Sequence, residues 1–458
     1  MKVIVCGAGQ VGYAIAQYLA AANNDVTVID RRAELIHKIE ENLDLQGVVG
    51  HASLPSVLEK AGAADADMIV AVTYADEVNM IACQVAHSLF NVPMRIARVR
   101  QQDYLQSRWQ DLFRRDHLPI DVVISPEVEV AHAIALRLEV PGALNVVSFA
   151  EDRVRLVAIR ITAETPVIET PLRQLTYLFP NLHLVCVGVV RGDRFFIPAA
   201  DDQLLVGDEV HFVVETAHLH RALAAFGYEA AASDRVVIAG GGNIGLFLAR
   251  ELENRRPGIN LKIIEASEER AAGVADRLKK AVVLNGDARD LDLLEEANVA
   301  AAEAFVAVTN SDEVNIMSGL LAKYLGCGRA MALLNNASYN RILYRVGIDI
   351  AVNPRETTVS SILRHVRRGR IKAVHTIRDG EAEIYEAEAL ETSPLVGRPL
   401  QELRLGRSIL IGAIVREGEV ITPRADTEIR ARDRVVLVAR SEAVKKVEQL
   451  FAVRVDYF

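Results

Sequence analysis

The chain has no run of about 18 uninterrupted apolar residues, the length that a membrane-crossing helix needs. Any membrane role is therefore expected to pass through a partner. It has no excess of positive charge: 52 Lys and Arg stand against 61 Asp and Glu, for a net charge of −9. No basic stripe interleaved with aromatics occurs either, so no nucleic-acid partner is expected. Cysteines are few. Cys6, Cys83, Cys186 and Cys327 lie far apart, with no C-x-x-C pair among them. They read as small buried residues in a reducing cytosol, and no metal or redox site is expected. A secretory leader is not expected: Gly7, Gly9 and Gly12 break the apolar start at the spacing of a phosphate-binding turn.

What is there is a duplication. Gly7-Ala8-Gly9-Gln10-Val11-Gly12 returns as Gly240-Gly241-Gly242-Asn243-Ile244-Gly245. Asp30 returns as Glu265, Gly50 as Gly286, and Thr73-x-x-Asp76-Glu77-Val78-Asn79 as Thr309-x-x-Asp312-Glu313-Val314-Asn315. The apolar runs Val3–Cys6, Val26–Ile29, Gln46–Val49, Met68–Val72, Arg95–Val99 and Val122–Ile124 predict buried strands. Val236–Ala239, Leu261–Ile264, Val282–Leu284, Phe305–Val308, Met331–Leu334 and Ile348–Val352 predict the same series again. Val11, Ile15 and Leu19 recur at helical spacing between the first two strands. Near-continuous apolar strands alternating with helices predict an α/β chain with two Rossmann-like, doubly wound parallel sheets.

Residues 144–215 and 374–438 have another texture, alternating apolar and polar with hairpin turns at Arg191-Gly192-Asp193 and Glu417-Gly418-Glu419. They also match each other: Arg191 aligns with Arg416, Asp208 with Asp433. Each predicts a small α+β domain. The expected order is 1–125, a nucleotide unit; 126–228, a connector and small domain; 233–353, a second nucleotide unit; and 354–458, a second connector and small domain. A helical connector is expected at about 216–232.

The glycine motif follows a predicted strand and opens a predicted helix, the context that gives it meaning. Gly7 permits the tight turn, Gly9 leaves room for a pyrophosphate, and Gly12 lets the helix pack on the sheet. Amides at the helix start, Ala8 through Gly12, face the phosphates. Asp30 ends the second strand, where a carboxylate accepts from ribose hydroxyls. At 4 Å it would repel a 2′-phosphate by roughly 4 kcal/mol in an effective dielectric of 20. NAD(H), ATP or ADP are thus favoured over NADP(H), although Arg31 and Arg32 are adjacent. In the second copy Glu265 is longer, so the ribose must sit farther out or the backbone must shift. Thr73, followed by Tyr74, and Thr309 end the fourth strands at the ligand-binding edge. Asp76 and Asp312 are expected to cap the following helices. Arg98 lies within an apolar strand, reaching a phosphate, another subunit or an ion-pair partner, with Leu334 at its place in the second copy. The basic segment His365-Val-Arg367-Arg368-Gly-Arg370 reads as a helix end complementing the dipole, or as a contact for acidic lipid or a partner.

These residues together resemble a known family, the NAD-binding regulatory subunits of bacterial Trk potassium uptake systems, built from tandem RCK (regulator of potassium conductance) domains. Leu89-Phe-Asn-Val-Pro-Met-Arg-Ile-Ala-Arg98-Val-Arg100, Pro141-Gly-Ala-Leu144, Phe149-Ala-Glu151 and Ala307–Met317 carry the resemblance beside both glycine motifs. RCK domains often carry Gly-Asp-Ala after the third strand. The second copy keeps it at Gly286-Asp287-Ala288, which places Asp287 among the expected nucleotide contacts. The first has Gly50-His51-Ala52, where His51 is a solvated turn residue or an adenine contact. The resemblance implies a cytoplasmic subunit, peripheral on the inner membrane, forming a dimer or tetrameric ring on the Trk membrane subunit. It also implies NAD(H) or adenine-nucleotide binding that gates K⁺ passage, and no catalysis. A soluble NAD-dependent dehydrogenase and a scaffold with non-signalling nucleotide are the alternatives.

Overall fold

The computed structural model describes residues 1–451 apart from 22–23, 44, 141, 179–181, 193, 229–232, 337–338, 340–342, 344–345 and 367–370. Asp193 of the first hairpin turn, the end of the 216–232 connector, and Arg367, Arg368 and Arg370 therefore lie outside the described residues. The described part of that connector is a 3-10 turn, Thr216–His218, and a helix, Leu219–Ala225. The chain divides into two compact units, Met1–Val130 with Pro354–Val366, and Ala131–Asn353 with Arg367–Phe458.

The first unit holds β1 (Lys2–Cys6), β2 (Asp25–Asp30), β3 (Gln46–Val49), β4 (Met68–Ala71), β5 (Met94–Arg98) and β6 (Val122–Ile124). They form a sheet in the order β3-β2-β1-β4-β5-β6, parallel throughout. β1 and β4 are buried on both faces, as apolar residues at consecutive positions require. The strand order reverses between β1 and β4, which opens a crevice at their carboxyl ends. The core against one face contains Ile15, Ala16 and Leu19 of the helix Gln10–Ala21. Ile362 and Leu363, from the distant helix Pro354–Val366, complete that core. Both are fully buried, each contributing about 1.5–3 kcal/mol.

The second unit repeats the parallel sheet with β12 (Arg235–Ala239), β13 (Asn260–Glu265), β14 (Val282–Asn285), β15 (Ala304–Ala307), β16 (Ala330–Leu333) and β17 (Ile350–Val352). Their order is β14-β13-β12-β15-β16-β17. β17 begins two residues later than the apolar run at Ile348 suggests. The helix Asn243–Arg255 is paired through Glu251 and Arg255 to His132 and Glu139 of the helix Pro126–Glu139, each at 2.8 Å. Chain-distant helices thus flank both glycine-motif helices.

This unit also holds two five-stranded antiparallel sheets. One contains β7 (Ala143–Phe149), β8 (Val154–Arg160), β9 (Leu184–Arg191), β10 (Arg194–Phe196) and β11 (Glu209–Glu215), in the order β10-β9-β11-β8-β7. The other contains β18 (Ile371–Ile377), β19 (Ala382–Glu388), β20 (Ile409–Arg416), β21 (Glu419–Ile421) and β22 (Arg434–Arg440), in the equivalent order β21-β20-β22-β19-β18. The two sheets share one core, where Leu156, Val187 and Val213 meet Ile384, Ala413 and Val436. Their approach is close at Gly412, where an added Cβ would stand 3.0 Å from a Val213 methyl.

The aligned arginines form matching ion pairs with buried aspartates. Arg191 Nε and Nη2 donate to the two Asp208 oxygens at 2.8 and 2.7 Å. Arg416 does the same to Asp433 at 2.9 and 2.8 Å. Each aspartate also accepts a backbone N–H, from Leu205 and Arg430 respectively. The Asp208 side chain is 2% exposed and that of Arg191 41%. Arg191→Met strands the buried carboxylate. It is expected to destabilise the chain by up to about 3 kcal/mol, the low end for breaking a buried pair because the guanidinium partly faces water. Adding Asp208→Asn is expected to restore part of the loss, read by thermal unfolding of the full chain.

Candidate nucleotide-binding site

The turn after β1 is set by one contact. A Cβ on Gly12 would lie 1.8 Å from the Gly7 carbonyl oxygen, so the helix cannot start here with any other residue. Gly7 itself has φ +108, a left-handed conformation that glycine adopts readily. Gly9 differs from both: a Cβ there meets nothing within 4 Å, and its φ is not positive. The fold does not require a glycine at position 9, but a ligand approaching the backbone does. The second copy behaves identically. Gly245 would clash with the Gly240 carbonyl at 1.9 Å, Gly240 has φ +109, and Gly242 faces open space.

Beside the first turn lies a cleft of about 600 Å³, lined by Gly7, Gly9, Gln10, Val11, Asp30, Thr73, Tyr74 and Arg98. Arg31, Arg32, Gly50 and His51 also line it. Ala8 is buried behind the cleft, and its N–H donates to Asp30 Oδ2 at 2.8 Å. The Arg32 N–H donates to Asp30 Oδ1 at 2.9 Å. A carboxylate has about four lone-pair sites, so roughly two remain for a diol such as a ribose. His51 is exposed, and its Nδ1 lies 2.8 Å from Ser53 Oγ. Tyr74 is 86% exposed at the rim, with the Arg100 guanidinium 5.9 Å from its ring centre.

A buried asparagine holds the opposite wall. Asn79 Oδ1 accepts from the Thr73 N–H at 2.8 Å and the Thr73 hydroxyl at 2.7 Å. Its Nδ2 donates to the carbonyls of Thr73 and Arg98, locking the ends of β4 and β5 together. Asn315 repeats this with Thr309 and Leu333. Arg98 Nη2 donates to the Thr73 carbonyl at 2.7 Å, but its Nε is buried without a hydrogen-bond partner. Burial pulls the Arg98 pKa below its ordinary value, and the nearby Arg100 charge pulls it further. An anion in the cleft would relieve both.

Two sequence expectations change here. Asp76 does not cap its helix; it is the first helical residue, and Ala75 occupies the cap position. Asp76 Oδ2 instead accepts the N–H groups of Arg100 and Gln101, fixing the loop after β5. Asp312 likewise holds Asn335 and Asn336, while Ser311 caps the helix. The counterpart of Arg98 is Leu333, not Leu334, because the asparagine clamp reaches the carbonyls of Arg98 and Leu333. The apolar residue at this place gives the second copy no matching cation.

The longer Glu265 moves neither sheet nor turn. Its Oε2 accepts the Gly241 N–H at 2.8 Å, the contact Asp30 makes with Ala8. A Cβ on Gly241 would lie 3.1 Å from Glu265 Cβ and 3.2 Å from its Oε2. The methyl lost from Ala8 to Gly241 makes room for the methylene gained from Asp30 to Glu265. Glu265 Oε1 also accepts from the Ser267 N–H and from Arg270 Nε, so it retains less acceptor capacity than Asp30. Asn243 is exposed and Ile244 half-buried at the helix start, matching Gln10 and Val11. Asp287 is bound by Arg289, whose guanidinium holds its carboxyl down at about 2. Its carboxylate is thereby committed to a local pair.

One contributor was not visible from the motif. Arg355, in the helix Pro354–Val366, donates through Nη2 to Gln10 Oε1 at 2.6 Å, bringing a cation to the glycine-rich turn. The Pro354-Arg355 dipeptide marks a helix start, but nothing local says which turn that helix reaches.

The TrkA-N domain family matches residues 3–126 and 236–354, and the TrkA-C domain family matches residues 156–227 and 384–452. A Trk system potassium uptake protein TrkA from Azorhizobium caulinodans is 49% identical over 458 residues, covering 100% of both chains. A protein of the same name from Halomonas elongata is 41% identical over 462 residues, also covering 100% of both. Among solved structures, the GsuK RCK domain superposes with a TM-score of 0.60 at 20% identity, covering 99% of this chain and 95% of that one. At that identity the likeness concerns the fold.

Gly9→Val is expected to leave the melting temperature nearly unchanged while weakening nucleotide binding at least tenfold, about 1.4 kcal/mol. Gly12→Ala is expected to lose the fold of the first unit. Calorimetry and thermal melts separate the two. Gly241→Ala is expected to destabilise the second sheet by about 1–3 kcal/mol through overpacking, and Glu265→Asp in the same chain to reverse most of it.

Proposed function

The chain belongs to the TrkA family, and on that premise we propose that it is the nucleotide-sensing regulatory subunit of a Trk-type potassium uptake system. The observation that carries the reading is the first cleft. It joins a turn whose middle glycine only a ligand requires, a carboxylate with free acceptor sites, and a half-buried cation with a buried, unpartnered Nε–H. That set suits an adenosine ribose and a pyrophosphate, the parts common to NAD(H), ATP and ADP. NAD(H) is the primary assignment for the first site, with ATP or ADP competing for it. Gly240 through Gly245, Glu265, Asp287 and Thr309 form the second, weaker site.

The proposed working divisions are 1–125, 126–228, 233–353 and 354–458. The subunit assembles as a dimer or tetrameric ring on the cytoplasmic face of its membrane partner and gates K⁺ passage. It regulates and does not catalyse: both halves of the chain are spent on nucleotide units and small β-rich domains, which leaves no substrate domain. Gating follows from unequal nucleotide affinity for two states of the assembly, since a ligand shifts an equilibrium only by its differential affinity. Shifting 1:99 to 99:1 takes about 5.5 kcal/mol, a modest demand when several sites share it.

Calorimetry with NADH, NAD⁺, ATP and ADP tests the reading, comparing the native chain with Asp30→Ala and Glu265→Ala. Removing charge-assisted hydrogen bonds worth about 1.5–3 kcal/mol at Asp30 is expected to weaken first-site binding about 10- to 100-fold. Glu265→Ala is expected to affect a separate, weaker phase. No binding by the native chain would leave only a scaffold.

A further inference from the structure

Away from both nucleotide turns, three side chains of the first small domain converge. His183 precedes β9, Glu215 ends β11, and His218 ends the following 3-10 turn. Their potential ligand atoms all lie within 4.8 Å of one another. We propose that His183, Glu215 and His218 form a binding site for a divalent transition-metal ion such as Zn²⁺.

The chemistry fits. Two imidazoles and one carboxylate are a common three-ligand set for zinc, leaving a fourth position for water or another ligand. His218 Nδ1 lies 3.1 Å from Glu215 Oε2, yet it is buried and forms no hydrogen bond. Two ligand atoms on one tetrahedral zinc, with bonds of about 2.0–2.1 Å, stand roughly 3.3 Å apart. The spacing therefore already suits a shared cation. His183 Nδ1 lies 3.2 Å from the Thr422 hydroxyl, a group that can donate or accept, and Nε2 is its second potential ligand atom. The two imidazoles are stacked, with centroids 4.7 Å apart and planes at 14°. Coordination requires one ring to turn about its Cβ–Cγ bond, and the exposed His183 has room for that. His183 also has φ +50, a left-handed conformation uncommon outside glycine.

The chain supplies its own control. Leu184 pairs with Val214 in β9 and β11 as Ile409 pairs with Ala439 in β20 and β22. The positions equivalent to His183 and Glu215 are therefore Ser408 and Arg440. His218 ends the turn Thr216–His218 as Ala443 ends Ser441–Ala443. The same fold thus forms without the cluster, so packing does not account for its presence.

Tag-free full-length protein titrated with Co²⁺, then with Zn²⁺ as competitor, tests the site. One equivalent of Co²⁺ is expected to give the visible d–d absorption of a four-coordinate ion, displaced by Zn²⁺. His218→Ala is expected to weaken binding at least 30-fold. His220→Ala, at an exposed neighbouring histidine, is expected to leave it unchanged. The triple variant His183→Ser, Glu215→Arg, His218→Ala carries the residues of the sister domain, so it is expected to keep its melting temperature and lose the absorption. Absence of stoichiometric Co²⁺ binding in the native chain, or its retention in the triple variant, would overturn the proposal.

Discussion

In each parallel-sheet unit one glycine of the motif has no room for a Cβ because it lies against the carbonyl of another. The helix after β1 comes so near the preceding turn that a single methyl on Gly12 would overlap the Gly7 carbonyl. That approach sets where the helix starts, which amides face the crevice and where Asp30 can meet the Ala8 N–H. The second unit repeats it at Gly245 and Gly240 to within a tenth of an ångström. Around this fixed point, the asparagine clamps at Asn79 and Asn315 hold the neighbouring strand ends in the same way.

Within this shared frame the copies diverge by exchange of groups. A methyl leaves the turn as Ala8 becomes Gly241, and a methylene enters the acid as Asp30 becomes Glu265. The backbone contact survives at 2.8 Å in both. Charge is not conserved in the same way. Arg98 in the first copy is answered by Leu333 in the second, while Arg270 engages Glu265 more closely than Arg32 engages Asp30. The first site is left with the more available acid and the half-buried cation. The small domains follow the same rule, retaining the Arg–Asp pair in both copies and placing His183, Glu215 and His218 in only one.

The parallel sheets were legible because their strands are short apolar runs separated by helical spacing, and because the chain states the pattern twice. The left-handed turn at Gly7 followed from local geometry, whereas Gly12 meets the Gly7 carbonyl of the turn before it meets the sheet. Less legible were contacts across strands. Asp76 looks like a cap in sequence, yet its carboxylate turns toward a loop more than twenty residues away. The one-residue shift that pairs Arg98 with Leu333 arises where the two copies differ in length, and only the clamp's hydrogen bonds expose it. Arg355 was invisible for a related reason. A helix reveals its apolar face in sequence, but the surface that receives it is chosen by the whole chain.

The late position of the helix Pro354–Val366 in the chain governs how the first unit is made. The first sheet is made before the first small domain and the second parallel sheet, but Ile362 and Leu363, which close its core beside Ile15 and Leu19, are made after both. Until then one apolar face of the first nucleotide helix stays open to water. The N-terminal unit thus waits, incomplete, through the synthesis of the first small domain and the second parallel sheet. Its final stability arrives only once residues 354–366 have been made, and a chain truncated before residue 354 never acquires it.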